Sequence, residues 1–392
     1  MKIRDIRTIP LRVELEKMLF DANMAFNETL SLLVEVETDE GLIGLGEASH
    51  LGGPLRSTQV VIDGELRDYL VGEDPRDIER LWEIMYRRSY KHARGGLLLA
   101  AMSGIDLALW DLRGKMAGMP LWRLLGGYRR RVPAYAGPGM YAEGKGLREL
   151  GAEMEGYAKA GFRGVKMKVG RNSGIEQSPL RAMSDRGQCE VSLAEDLERV
   201  RTVRKAIGPD VRLMVDANSA WDVATAVKMG RAMEPLDIYW FEEPVSPDDL
   251  AGSAEVAAKV PMPVAGYETN TNGKVGVRDY LNAKAVHFVQ FDVAWAGGFT
   301  EGLKIAHMAQ AWHKPFALHI FGSAVAVAAS AQFMGALANA SMAEMSMRPQ
   351  PLRRELVKEP LVVDATGHIE LNDRPGLGIE LDPKGVAKYR VG

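Results

Sequence analysis

Six ionisable residues, Asp216, Glu242, Glu268, Asp292, His319 and Glu344, recur through the second half of the chain at intervals of 26, 26, 24, 27 and 25 residues. Five of the six end a short apolar run: VRLMVD, IYWFE, PVAGYE, HFVQFD and PFALH. A strand, a turn, a helix and a return loop use about this much chain, so the period reads as repeated βα units. In a closed parallel barrel every strand opens its C-terminal end on the same face. Residues far apart in sequence would then converge on one mouth, as three carboxylates and a His–carboxylate pair. That constellation suits a metal ion and a base, and therefore an enzyme.

The 392 residues are many for a single core, so a barrel with an appended unit is expected. The composition is ordinary for a globular chain, 46% hydrophobic and 26% charged. A net charge of −3, with no basic run interleaved with aromatics, gives no case for a nucleic-acid partner. The single cysteine, Cys189, excludes an intrachain disulfide and a thiolate metal cluster. The N-terminus alternates charged and apolar residues like a strand, not a signal peptide. Residues 320–343 carry no formal charge, yet they are mostly Ala, Ser, Gly and Val. A small-residue helix buried against a sheet is expected there, with no membrane span. The expected location is the cytoplasm.

Strand-like stretches run over Ile3–Arg12, Leu30–Thr38 and Leu42–Glu47, the last two joined at Asp39-Glu40-Gly41. Helical spacing follows from Ile78 to Met116, where Leu99, Met102, Ile105 and Leu109 share a face. Gly118-Met119-Pro120 and Gly126-Gly127 punctuate the chain and mark a boundary. The expected division is an α+β unit over 1–126, a (β/α) barrel over 127–350, and a tail over 351–392 that returns to the first unit. The barrel rhythm would start at Val132–Tyr135 and continue with Arg163–Val169. Lys168 and Asp216 lie 48 residues apart, nearly twice the period, so Arg171–Val191 reads as a surplus loop reaching over the mouth. Its Arg171, Arg181 and Arg186 are candidates for a substrate's second carboxylate or hydroxyls. Two loops of the first unit, Phe20–Leu30 and Ser49–Leu55, are further candidate walls.

Lys166 and Lys168, two apart on a strand, share a face, and the apolar residues between and around them take the helix-covered side. Mutual repulsion of two inward ammonium groups is expected to lower one pKa toward that of a base. Asp216, Glu242 and Glu268 cannot all stay ionised without a cation, and oxygen-only donors suit Mg²⁺. Glu243 points to the opposite face by alternation, which leaves the metal to Glu242, while Asn218 follows Asp216 by two positions and is a weaker candidate for the site. Asp292 beside His319 fixes the imidazole tautomer and makes a competent base or acid. Glu344 has no clean strand before it.

Together these residues resemble the enolase superfamily, in its mandelate racemase subgroup. The likeness covers essentially the whole chain: SGIDLALWDLRGK, KMK, VDAN, WFEEP, the Glu of AGYETN, the Asp of QFDVAWAGGFTE, the His of ALH, Glu344 and PGLGIELD. It implies an α/β fold, a modified (β/α)7β TIM-type barrel with an N-terminal α+β capping domain completed by the C-terminal tail. It also implies Mg²⁺ on Asp216, Glu242 and Glu268, with abstraction of a proton α to a carboxylate. Lys168 and His319, oriented by Asp292, would bracket the α-carbon, Lys166 would aid stabilisation, and a protonated Glu344 would donate to the substrate carboxylate. Departures are Tyr267 before the third acid, Phe291 before Asp292, and the insertion. The expected activity is dehydration of an acid sugar. The same set would serve a racemase, an epimerase or a cycloisomerase, and a metal-binding barrel without turnover is the alternative of a different kind. A small carboxylate and further copies of the chain are the expected partners.

Overall fold

The computed structural model describes residues 1–48, 55–91, 93–172, 188–266, 268 and 272–392. Residues 49–54, and the centre of the insertion with Arg181 and Arg186, lie outside the described residues.

Three antiparallel strands open the chain, β1 (Ile3–Phe20), β2 (Ala25–Thr38) and β3 (Ile43–Ala48). Along β1, Thr8–Leu11 are buried in succession, so the sheet is covered on both faces there, while Arg12–Leu19 is half-buried or exposed. Gly41 takes the left-handed conformation that the β2–β3 turn requires, at φ +81°. The expected loop Phe20–Leu30 is mostly strand, because β1 and β2 extend past the apolar runs that suggest them. Only Asp21–Met24 turns, held by the Asp21 carboxylate, which accepts from the backbone N–H groups of Asn23 and Met24 at 2.7 Å each.

The helical stretch is two helices, Ile78–Ser89 and Leu97–Ala117, and the second is buried almost all round. Glycines let it lie directly on β3: a Cβ on Gly46 would come within 2.0 Å of the Gly104 carbonyl oxygen. Its other side meets the barrel, which explains why SGIDLALWDLRGK carries polar residues inside a buried helix. Ser103 Oγ accepts from the N–H groups of Gly297 and Gly298, and Asp106 accepts from the backbone N–H and hydroxyl of Thr300. Asp106 thus stands at the N-terminus of the barrel helix Gly298–Ala311. Burial pushes its pKa up to about 7 despite these donors.

Eight parallel strands close the second unit: β4 (Arg131–Gly137), then, after the two-residue β5 (Tyr141–Ala142) that returns to β1, β6 (Gly164–Lys168), β7 (Arg212–Asp216), β8 (Ile238–Glu242), β9 (Val264–Gly266), β10 (Phe288–Phe291), β11 (Phe316–Leu318) and β12 (Ala340–Ser346). Each pairs with the next and β12 pairs with β4, so the sheet has no free edge at the seam. A helix follows each of the first seven barrel strands, giving the (β/α)7β order. The uncharged segment 320–343 is not one helix. Its helix is Ala324–Ala336, buried throughout, and β12 begins within the remainder. No helix among the described residues is long and apolar enough to cross a membrane.

The tail runs antiparallel to β4 through β13 (His368–Glu370) and also reaches the first unit. Leu377 N–H donates to Asp111 at 2.8 Å, and Arg390 bridges to Leu11.

A second capping-unit acid also grips a barrel helix. Glu47, at the end of β3, accepts from Ser323 N, Ser323 Oγ and Ala326 N at the start of Ala324–Ala336. Glu47→Ala or Asp106→Ala would remove a helix-end anion and strand several buried donors. Each variant is expected to lose about 2–4 kcal/mol of stability in chemical denaturation. A loss below about 0.5 kcal/mol in both would show that these bonds do not hold the units together.

Candidate active site

Alternation along the barrel strands explains how the mouth is built. Two positions before a site residue the strand points the same way, and before four of them the side chain is apolar: Met214 before Asp216, Trp240 before Glu242, Ala317 before His319, Met342 before Glu344, whereas the buried Gln290 precedes Asp292. With Tyr135, Ala265 and Phe288 these four form a packed floor. The charged groups lie on this apolar floor, where electrostatic interactions are strong.

Lys166 Nζ bonds Glu242 Oε1 at 2.6 Å and Glu344 Oε1 at 3.0 Å, and stands 3.8 Å from Asp216 Oδ2. Lys168 donates to Asp216. Trp240 Nε1 fixes the other oxygen of Glu242 at 3.0 Å, and Asn218 N–H donates to Asp216 Oδ1 at 2.8 Å. Around the wall, His319 Nδ1 lies 2.9 Å from Asp292 Oδ2, and its Nε2 lies 3.7 Å from Glu268 Oε1. Ala294 N–H holds Asp292 through Oδ1 at 2.8 Å. Strands β6 and β11 lie on facing parts of the wall, with β12 and β4 between them one way and β7 to β10 the other. All eight sequence-predicted residues are buried at this mouth. Lys168, Glu268, His319 and Glu344 line a cavity of about 180 Å³, and Lys166, Asp216, Glu242 and Asp292 stand behind them.

Glu344 sits inside a strand, β12, despite the small and polar residues around it and a register shift against β11, since pairing with both β11 and β4 supplies the order. Glu243 departs from simple alternation. Strand β8 ends at Glu242, Glu243 takes φ +38°, and the side chain borders the cavity, with Ser219 Oγ donating to it at 3.3 Å. The sequence signal for this is the Glu-Glu-Pro run, where Pro244 prevents the strand from continuing.

Charge explains a second difference. Repulsion between the lysines does not win. Burial alone would lower the pKa of Lys166, but Glu242 and Glu344 raise it well above the ordinary lysine value. Burial likewise opposes the charge on Lys168, and Asp216 reverses that and raises its pKa. Asp216 is held down to about 2, because Lys168 and Lys166 outweigh its burial. Glu242 is pushed up to about 8 by burial and by Asp216, and Glu268 is pushed well above the carboxylate range by burial, Glu242 and Glu243. Burial disfavours the Glu344 anion, yet Lys166 and His319 lower its pKa, a direction opposite to that of the protonated donor which the resemblance implies once substrate is bound.

Among the described residues no three His, Cys, Asp or Glu side chains already surround one point, and Lys166 and Lys168 occupy Glu242 and Asp216. The donor chemistry nevertheless fits a hard divalent cation. The three acids close consecutive strands with oxygen donors only, crowding raises two of their pKa values, and Glu268 Oε2 is buried without a partner.

Arg171 is not free to read substrate. Buried, it donates from Nε to Gln188 O at 2.7 Å and from Nη1 to Asp21 O at 3.1 Å, over the Phe20 ring at 4.5 Å. It fastens the base of the insertion to the Asp21–Met24 turn, which also borders the cavity.

Residues 13–126 match the mandelate racemase / muconate lactonizing enzyme N-terminal domain, and residues 149–385 match the enolase C-terminal domain-like family. The chain is 36% identical to an arabinonate dehydratase of Saccharolobus solfataricus, over 99% of both chains. It is 35% identical to a D-galactarolactone cycloisomerase of Agrobacterium fabrum, over 100% of this chain and 99% of the other. A racemase from Streptomyces coelicolor A3(2), solved with bound magnesium, superposes with a TM-score of 0.87 at 30% identity, over 99% of this chain and 100% of that one. With capping unit, closed barrel and profile in agreement over most of its length, the chain belongs to the mandelate racemase / muconate lactonizing enzyme family of the enolase superfamily.

Proposed function

We propose that this enzyme removes the proton α to the carboxylate of an acid sugar and expels the β-hydroxyl as water, with Mg²⁺ held by Asp216, Glu242 and Glu268. The observation that carries this reading is the pair of proton-transfer groups, Lys168 and the Asp292-oriented His319, on facing parts of one polar cavity. A binding module needs neither group. The metal supplies electrostatic stabilisation of the enediolate that forms when the α-proton leaves.

Asp216 and Glu242 would share less of their charge with the lysines once they held a cation, while Glu344 would stay on Lys166. Lys168 then approaches the range of a base, and Lys166 keeps its charge facing the developing dianion. One of Lys168 and His319 takes the α-proton as the Cα–H bond breaks. The enediolate collapses, the β-carbon–oxygen bond breaks, and the departing oxygen receives a proton from the acid partner and leaves as water. Glu344, between Lys166 and the Ile320 N–H, positions the reacting end through its bond to Lys166.

The relatives named above include both a dehydratase and a cycloisomerase, so the second reading is cycloisomerisation, with the same first proton transfer followed by ring chemistry instead of net loss of water. A panel of acid sugars and their lactones, incubated with protein and Mg²⁺, separates the two. Dehydration gives a 2-keto-3-deoxy acid lighter by the mass of one water, and cycloisomerisation leaves the mass unchanged. No change to any member of a stereochemically complete panel would contradict both.

A further inference from the structure

Arg348 lies two residues beyond β12, and its guanidinium sits 3.6 Å above the ring of Phe321. Phe321 in turn stacks near-parallel on His319, with ring centres 5.7 Å apart. The guanidinium donates from Nε to Gln350 Oε1 at 3.2 Å and from Nη2 to Phe321 O at 3.3 Å, and Nη1 is buried with no partner. Among the described residues neither Arg348 nor the neighbouring Arg353 forms an ion pair. Arg353 spends its donors on the carbonyls of Ile320, Gly322 and Ser346. Burial and the Arg353 charge push the pKa of Arg348 down to about 9, with the Glu344 charge opposing them in part.

Arg348, Phe321 and the strand residues Met24–Leu30 line a cavity of about 70 Å³, and Thr29, one of these residues, has its Oγ1 buried without a partner. Glu28 is on this wall too, but its carboxylate is engaged by Arg12 at 2.6 Å. The cavity shares Met24, Phe26 and Phe321 with the catalytic cavity. A buried cation with no ion-pair partner in contact is costly, even with the Glu344 charge beyond contact distance, and an unmade buried hydroxyl adds to that cost. Water would satisfy the donors but leave the charge unbalanced. A carboxylate would answer both, accepting from Nη1 and from Thr29 Oγ1.

We propose that Arg348 and Thr29 form a subsite for the far carboxylate of a diacid substrate, and this rests on the acid-sugar reading above. Phe321 separates the guanidinium from His319, so a substrate with its α-carbon beside His319 meets Arg348 only with its distal end. The subsite selects aldaric-type diacids over monoacids of the same length.

The test compares six-carbon diacids of each configuration with their monoacid counterparts, using wild type, Arg348→Met, Arg348→Lys and Thr29→Val. Thermal unfolding first confirms that each variant folds. Wild type is expected to favour the diacid, and Arg348→Met to lower kcat/KM on the diacid about 10²-fold more than on the monoacid. The loss should fall mainly on KM, and Arg348→Lys should recover part of it where the charge alone suffices. Equal losses on both acids, no loss, or a wild-type preference for monoacids across the panel would overturn the subsite. Should wild type turn over neither acid, the catalytic reading fails, and calorimetric titration with the same pairs still decides this proposal. Diacid binding that weakens in Arg348→Met supports it. Unchanged binding in that variant, or no diacid binding by wild type, overturns it.

Discussion

Lys168→Ala and His319→Asn are each expected to lower turnover by about 10²–10⁴-fold or more while the fold survives. Both side chains project from the ends of paired strands into the cavity, so truncation removes a proton-transfer group without breaking the ladder between β6 and β7 or the contact of β10 with β11. Lys168→Ala leaves Asp216 near Lys166, and His319→Asn keeps a polar group opposite Asp292. Because the two groups approach from different strands, the losses should differ in kind. In deuterated solvent each variant should still exchange the α-proton of the stereoisomer served by its remaining base. Wild-type rates in either variant would remove that residue from the chemistry.

The regular spacing of Asp216, Glu242, Glu268, Asp292 and His319 was legible because a closed barrel fixes both the length of each βα unit and the end at which polar residues emerge. The same rule gave little help where regular alternation ends. Glu243 faces the cavity only because its backbone turns to positive φ before Pro244, which a period-two reading cannot register. The strand holding Glu344 was hidden because its partners, β11 and β4, are distant in sequence and supply what local propensity does not. The raised lysine pKa values follow from how many carboxylates surround each ammonium group, which depends on three-dimensional placement. Arg171 looked available for substrate because a loop arginine usually meets solvent, but Gln188, Asp21 and Phe20 bury it. Ser103 and Asp106 of SGIDLALWDLRGK were visible within a motif, and their task of holding a barrel helix emerges only once Gly298–Ala311 is seated on them. Arg348 had no signal beyond its place just after the final barrel strand.

Removal of the metal is expected to abolish activity, with Mg²⁺ or Mn²⁺ restoring it, since the site donors are all oxygen. Without a cation, burial and the neighbouring acids push Glu242 up to about 8 and raise Glu268 well above the carboxylate range, and the cluster offers no divalent charge to a developing dianion. Glu242→Gln removes a carboxylate that Trp240 already orients, and it should weaken metal affinity by about 10²-fold or more. Glu243→Gln should weaken it less, because Glu243 acts on Glu268 through charge and is not one of the three proposed ligands. Calorimetric titration of Mg²⁺ into both variants reads the difference, and equal losses would move Glu243 into the ligand set.

Proton abstraction next to a carboxylate is tested most directly by following the α-proton of acid sugars by NMR in deuterated buffer, with the wild-type protein either loaded with Mg²⁺ or stripped by chelator and dialysed. Expected is loss of the α-proton signal, accompanied by formation of a 2-keto-3-deoxy acid, for at least one configuration with Mg²⁺, and neither change in the stripped protein. Full exchange or turnover in excess chelator, or retention of the α-proton in every acid sugar with Mg²⁺ present, would contradict it.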